Sequence, residues 1–182
     1  MASVVLTVPA EITFEQAIAQ TQALIAARLD EAINAQEFAQ GVQALVAGEN
    51  GARGFFVTYL TLEHELADRP DEFLINALQS SPAIVGELLV KNLAMSTAMA
   101  ITHRRNRDEA LAQGSDRVQR RTQQLMQRCH LPELATKAQE LYRNAGGEAG
   151  QYSDFLERWG YDSEQKQAIQ AVLQPWITGS QG

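Results

Sequence analysis

The chain has 182 residues, 45% of them apolar, which is enough for one ordinary domain with its own hydrophobic core. Its 22 acidic and 15 basic residues leave a net charge of −7, and such a chain repels polyanions, which argues against nucleic-acid binding. One cysteine excludes an intramolecular disulfide, and the amino-terminal residues lack the pattern of an export signal. We therefore expect a cytoplasmic protein that forms a single domain over residues 1–182.

Ala, Gln, Leu and Glu dominate the composition, and because these residues lose little side-chain freedom in a helix, they predict an all-α fold. Only the segment Val4–Val8 is expected to form a short extended arm. Thr13 and Asn34 are each followed three residues later by Gln or Glu, and these capping boxes predict the starts of two helices. The second helix should end at a chain-reversing loop, residues 48–51, and the third should stop before Pro70.

The longest apolar helix is predicted over residues 82–103, because a proline such as Pro82 is tolerated in the first turn of a helix. Apolar side chains point in most directions around it, which indicates that other helices surround it in an irregular multi-helix bundle. Glu87 and Lys91 interrupt its apolar stretch, and a charge at the bilayer centre costs about 2.5 to 3.5 kcal/mol. We therefore expect a buried central helix and no membrane span.

Gly114 is expected to separate the central helix from a helix over residues 115–130. Three shorter helices should follow and form a helical appendage at the carboxyl end, residues 132–178. Small residues on the central helix would let another helix approach closely, from the same chain or from a second copy, so a homodimer is an open alternative. These small residues are Ala94, Ser96, Ala98 and Ala100.

Sequence patterns of common catalytic sites are absent from the chain. There is no Gly-x-Ser-x-Gly nucleophile motif, no phosphate-binding glycine loop and no pair of Glu-x-x-His motifs for a di-iron site. The triplet Glu63-His64-Glu65 cannot bind one ion with all three side chains, because consecutive helix positions point about 100° apart. We therefore predict a protein that is not an enzyme and that holds no cofactor or metal.

One alternative to this prediction rests on Met95, Met99 and His103, whose i, i+4, i+8 spacing places two thioethers and an imidazole along one helix face. Such ligands suit a soft metal or a haem group. Methionine is also an ordinary filler of hydrophobic cores, and this helix is the predicted core. The packing role is favoured, and a cofactor- or metal-binding helical protein is the second hypothesis.

Charge is unevenly distributed along the chain. Residues 103–130 carry seven arginines and three acidic residues, a net of +4, whereas the preceding residues carry −8 and the following residues −3. A helical projection gathers four arginines into one arc beside an apolar stripe, namely Arg117, Arg120, Arg121 and Arg128. Because arginine forks suit carboxylates, this arginine face is predicted, with Arg104 and Arg105, to bind an acidic protein partner.

Two alternatives to this partner site stay open. The arginine face could instead pair within the chain with the acidic residues of segment 63–72, while Arg104 and Arg105 balance the dipole at the end of the central helix. A second candidate surface is aromatic: Tyr152, Phe155 and Trp159 share a helix face and would form a protein-binding anchor if they were exposed. A nucleic-acid-associated regulator that uses the arginines is the third functional hypothesis.

The segments Ser80–Val85, Val90–Met99 and Thr102–Arg105 resemble uncharacterised all-helical proteins of cyanobacterial type. The resemblance covers about residues 70–130 and implies a cytoplasmic protein of a photosynthetic bacterium. It implies no chemistry, and no functional residue is transferred from it. Taken together, these features favour a non-catalytic helical binding, assembly or regulatory protein.

Overall fold

Helices account for most of the structure, a computed structural model that describes residues 8, 9 and 11–178. The described residues contain no strand, so the predicted all-α fold is confirmed; most of the Val4–Val8 arm lies outside them. A short 3-10 helix, Glu65–Asp68, separates the third and fourth α-helices. The α-helices are α1 Phe14–Leu29, α2 Ala35–Val46, α3 Glu49–Thr61, α4 Glu72–Gln79, α5 Pro82–Arg105, α6 Glu109–Cys129, α7 Leu134–Ala145, α8 Ser153–Trp159 and α9 Ser163–Thr178.

The predicted capping boxes start α1 and α2. Thr13 accepts a hydrogen bond from the Gln16 amide at 3.2 Å, and the Gln16 side chain accepts one from the Thr13 amide at 3.0 Å. Asn34 and Glu37 make the same reciprocal pair at 2.9 and 2.8 Å. Each cap satisfies amide groups that have no partner inside the helix and contributes about 0.5 to 2 kcal/mol.

The prediction of a loop at residues 48–51 is wrong, because α3 already begins at Glu49. Glycine is needed here for close approach of two backbones: a Cβ on Gly51 would lie 2.0 Å from the carbonyl oxygen of Leu45. Gly54 serves the same purpose farther along α3, where a Cβ would lie 2.4 Å from that of Ala17. Gly51, which was predicted to lie in a turn, and Gly54 therefore let α3 pack close to α2 and α1.

The start of α6 also differs from the expectation. The helix begins at Glu109 and includes Gly114, because Asp108 accepts a hydrogen bond from the Leu111 amide at 3.0 Å and supplies the amino-terminal cap. One glycine inside a helix costs about 1 kcal/mol, which a cap of this kind offsets. The last helix, α9, contains Pro175.

Contacts divide the chain into two compact units, one formed by residues 1–88 and 127–131, the other by residues 89–126 and 132–182. Helices α5 and α6 contribute residues to both units. The expectation of a single domain with a carboxyl-terminal appendage stays a prediction.

In the first unit, α1 packs on α3 and α2 packs on α3 and α4. An aromatic cluster lies in its core: the Phe55 ring stacks on Tyr59 at 5.1 Å and meets Phe56 edge to face at 5.3 Å. All three side chains are buried. Such ring pairs contribute about 0.5 to 1.5 kcal/mol beyond the burial of their area.

In the second unit, α7 packs on α9, and α8 joins α7. Buried Gln165 links α9 to α5, since its amide donates to the carbonyl oxygen of Ala98 at 3.1 Å and to the Thr102 hydroxyl at 2.8 Å. The small residues of α5 that were expected to admit another helix are already covered within the chain. They are Ala94, Ser96, Ala98 and Ala100, between 0% and 6% exposed.

Candidate functional site

The four arginines of the predicted face have different environments. Arg121 is 2% exposed and is among the largest fully buried side chains, whereas its neighbour Arg120 is exposed. Arg117 and Arg128 are half-buried. Arg121 lies one turn before buried Leu125 and so shares the inward face of α6. The arc found by projection is therefore split between the interior and the surface.

Arg128 is engaged within the chain. Its guanidinium donates to the carbonyl oxygen of Pro70 and forms an ion pair with Glu72 at the start of α4. For this residue, the alternative of internal pairing with segment 63–72 is confirmed. The side chain of Glu72 is nevertheless 79% exposed, so the pair lies at the surface.

Arg104 and Arg105 end α5, where a positive charge complements the helix dipole, and both also hold carboxylates. Arg104 contacts Asp116 on α6 and reaches Glu109 at 3.3 Å. Arg105 bonds Asp162 at 2.6 Å and also pairs with Glu164 on α9. The hydrogen bond from Arg105 lowers the pKa of Asp162, and the hydrogen bonds to Asp116 and Asp162 raise the pKa values of Arg104 and Arg105.

Further exposed arginines lie near these ion pairs in the chain. Asp116 and Arg120 are four residues apart on α6 and therefore share a face, so Arg104, Asp116 and Arg120 belong to the same side of this helix. Arg107 lies in the turn between α5 and α6 with a φ of 58° and is exposed. Within the second unit, exposed guanidinium groups thus concentrate between residues 104 and 120.

The aromatic candidate surface is only partly exposed. Tyr152 is buried, and Phe155 is half-buried against Tyr161, with the two ring centroids 6.3 Å apart. The Lys91 ammonium lies 5.9 Å from the Tyr152 ring centroid and 5.8 Å from that of Phe155. Trp159, at the end of α8, is 49% exposed. Two of the three predicted aromatic residues therefore belong to packing, and Trp159 alone remains as an exposed anchor among them.

The three side chains of the metal hypothesis lie at the edge of the core. Met95, Met99 and His103 are all half-buried, whereas Leu93 and Ala94 on the same helix are fully buried. This face of α5 is therefore less deeply buried than the face that carries Leu93 and Ala94.

Two further side chains of metal-binding type, His64 and Cys129, have structural roles in the protein. His64 accepts a hydrogen bond from the Leu66 amide through Nδ1 at 3.0 Å and caps the 3-10 helix. Burial raises the pKa of the Cys129 thiol to about 12, which keeps it protonated and unreactive near neutral pH. Across residues 11–178, no group of three His, Cys, Asp or Glu side chains is arranged to hold a metal ion.

By length and composition, α5 could cross a membrane, and no other helix in the described part of the chain meets that criterion. Within its most apolar window, 56% of the residues are buried inside the protein. The core helix of a globular protein has the same combination of length, apolar composition and burial.

One surface without any local sequence signal lies between α2 and α4. Phe73 is 49% exposed at the edge of an open groove of about 230 Å³. The other lining residues are amides and alanines, namely Gln36, Ala39, Gln40, Gln43, Asn76 and Ala77. In the sequence these residues are ordinary helix formers, and only the packing of α2 on α4 brings them together.

Fold and surfaces together define an all-helical protein in which several arginines form ion pairs with carboxylates of the same chain. The family described as Uncharacterised conserved protein UCP020893 matches residues 13–176, and the chain belongs to this family. No curated protein and no solved structure matches the chain.

Proposed function

We propose that this protein is a non-catalytic helical binding, assembly or regulatory protein that binds an acidic protein partner through exposed arginines of its second unit. The observation that carries the proposal is the concentration of exposed guanidinium groups at Arg104, Arg105, Arg107 and Arg120. A chain of net charge −7 that gathers its arginines into one segment presents a local target for carboxylates.

The internal ion pairs are compatible with such a partner. The carboxylates that hold Arg104 and Arg105 are themselves between 42% and 67% exposed. Exposed ion pairs of this kind contribute only about 0 to 1 kcal/mol each, so exchange for a partner carboxylate costs little. The internal carboxylates also keep the guanidinium groups oriented before the partner arrives, which reduces the entropy lost on binding.

The structure determines which substitutions test the proposal. Arg120→Glu reverses an exposed charge, whereas any charge reversal at Arg121 would also disturb the core. Arg158→Glu on α8 is the matched control, because it makes the same charge change at another exposed arginine of the second unit. Binding of a labelled polyglutamate peptide is measured by fluorescence anisotropy for each protein.

We expect Arg120→Glu to weaken peptide binding about tenfold, since like charges facing each other across an interface are strongly unfavourable. Arg158→Glu should weaken it much less. An equal loss in both variants would show that only net charge matters, and unchanged binding in Arg120→Glu would refute the proposal. A DNA duplex that competes more strongly than polyglutamate would instead favour the nucleic-acid-associated regulator.

The proposal also covers the cellular location of the protein and the kind of organism it comes from. We propose a cytoplasmic protein, in line with the resemblance of residues 70–130 to helical proteins of cyanobacterial type. The partial burial of α5 supports a core role for this helix. Fractionation of cells that express the tagged full chain tests this, and recovery in the membrane pellet after a high-salt wash would contradict it.

A second candidate function is favoured by the exposure of one α5 face. Because Met95, Met99 and His103 are half-buried, they could bind a soft monovalent metal such as Cu(I). The test is anaerobic Cu(I) titration against a chromophoric chelator, with Met95→Leu and Met99→Leu as apolar substitutes. Met126→Leu is the matched control, since Met126 is buried on α6. Equal affinities in all variants would exclude this site.

A further inference from the structure

The groove between α2 and α4 has the composition of an interface centre. Charged residues make up 20% of the chain, yet none of the seven residues that line the groove is charged. An aromatic side chain, Phe73, stands at its edge, and four amide side chains surround it. Interface centres are depleted of charge and enriched in aromatic residues, and a single aromatic anchor often dominates their binding.

The nearest charge along α4 is already neutralised. Glu72 precedes Phe73 and forms an ion pair with Arg128, so its carboxylate does not face the groove as an uncompensated charge. Another molecule could therefore cover the groove without burying an unpaired charge, which would be costly. At the start of α4, the neutral groove is therefore bordered by the Glu72–Arg128 ion pair, which has no net charge.

We propose that this surface binds a second copy of the same chain, so that the protein forms a homodimer around Phe73. An amide group both donates and accepts hydrogen bonds, so a face of Gln and Asn side chains is complementary to its own image. A twofold interface requires this self-complementarity, because each subunit contributes the same patch. Two chains of net charge −7 repel each other, and a neutral patch is where they can approach.

The patch also offers both halves of a packing contact. Phe73 projects from α4, and the groove beside it is floored by the small side chains Ala39 and Ala77, which are buried. In a twofold dimer, the ring of each copy can enter the groove of the other. The small residues of α5 are not available for this purpose, since Ala94 and Ala98 are fully buried.

The experiment is sedimentation velocity of the full chain over protein concentrations from about 1 to about 100 µM, a range suited to a weak interface. Phe73→Ser should raise the dimer dissociation constant about tenfold or more, as the loss of a central aromatic anchor does. Leu111→Ser is the matched control, because Leu111 is 54% exposed but lies in the other unit. It should leave the dimer unchanged.

A charge-swap pair keeps the test decisive if Phe73→Ser disturbs folding. Gln40→Glu alone and Gln40→Lys alone should each dissociate the dimer, and an equimolar mixture of the two variants should restore it. Wild-type protein that stays monomeric at all concentrations would overturn the proposal. So would a dimer that dissociates with Leu111→Ser but persists with Phe73→Ser, or a mixture of the Gln40 variants that fails to associate.

Discussion

The arginine face of α6 and the neutral groove between α2 and α4 are opposite kinds of surface. Arg128 of this face and Arg104 at the end of α5 form ion pairs with carboxylates of their own chain, whereas Phe73 is an apolar side chain about half exposed to solvent. A charge that is already compensated gains only the difference between the new ion pair and the old one, because the old pair must be broken first. An exposed aromatic ring gains from any apolar cover. Charge density alone is therefore a poor guide to which surface binds more strongly.

The largest expected effect is on stability, when the charge of buried Arg121 is reversed and compared with the same change at exposed Arg120. Arg121→Glu should lower the free energy of unfolding by about 3 to 5 kcal/mol, because it replaces a buried cation with an anion and leaves its surroundings uncompensated. Arg120→Glu should change it by less than about 1 kcal/mol, since the side chain is exposed. Urea unfolding of both variants measures this. Similar losses in the two proteins would mean that the arginine face is not divided as described.

A smaller effect is expected at the end of α6. Arg128→Ala removes the partner of the Pro70 carbonyl and should cost about 1 to 2 kcal/mol. Cys129 is the neighbouring reporter: its thiol is buried, and burial raises its pKa to about 12. Alkylation of Cys129 under native conditions should be slow in the wild type and faster in Arg128→Ala. Identical labelling rates would show that Arg128 does not anchor this turn.

The salt dependence of binding should distinguish the arginine surface from the neutral groove. Polyglutamate binding should weaken several-fold as salt rises from about 0.05 to about 0.5 M, because exposed charges are screened beyond a few ångströms. Dimer formation through the neutral groove should change less than about twofold over this range. Anisotropy and sedimentation measure the two equilibria in the same buffers. A dimer that dissociates with salt would indicate that charged residues, and not the groove, join the copies.

The smallest expected effect concerns acid stability in the second unit. Because the hydrogen bond from Arg105 lowers the pKa of Asp162, the folded state binds this proton less readily than the unfolded state. The stabilisation is therefore complete above the ordinary aspartate pKa of about 3.9 and is lost as pH falls through the lower folded value. Asp162→Asn should make thermal stability decline less steeply below about pH 4. An unchanged slope would contradict the proposed role of this pair.

The sequence by itself determined the all-α class, the capped starts of α1 and α2, and the extent of α5 to within about two residues. These features depend on contacts between residues three or four apart, so local pattern predicts them. It also located the stretch from Arg104 to Arg128 as basic. The sequence did not predict the role of glycines such as Gly51. This glycine is needed because a neighbouring backbone lies close to it, and not because it forms a turn.

Only the tertiary structure decided which side chains of each surface are accessible. Arg120 and Arg121 are adjacent arginines, and the packing of α6 buries one and exposes the other. The neutral groove is likewise invisible in the chain, since Gln40 and Phe73 come from separate helices that meet only after folding. Burial, ion pairing and grooves arise from contacts between residues distant in sequence, and a local pattern does not contain them.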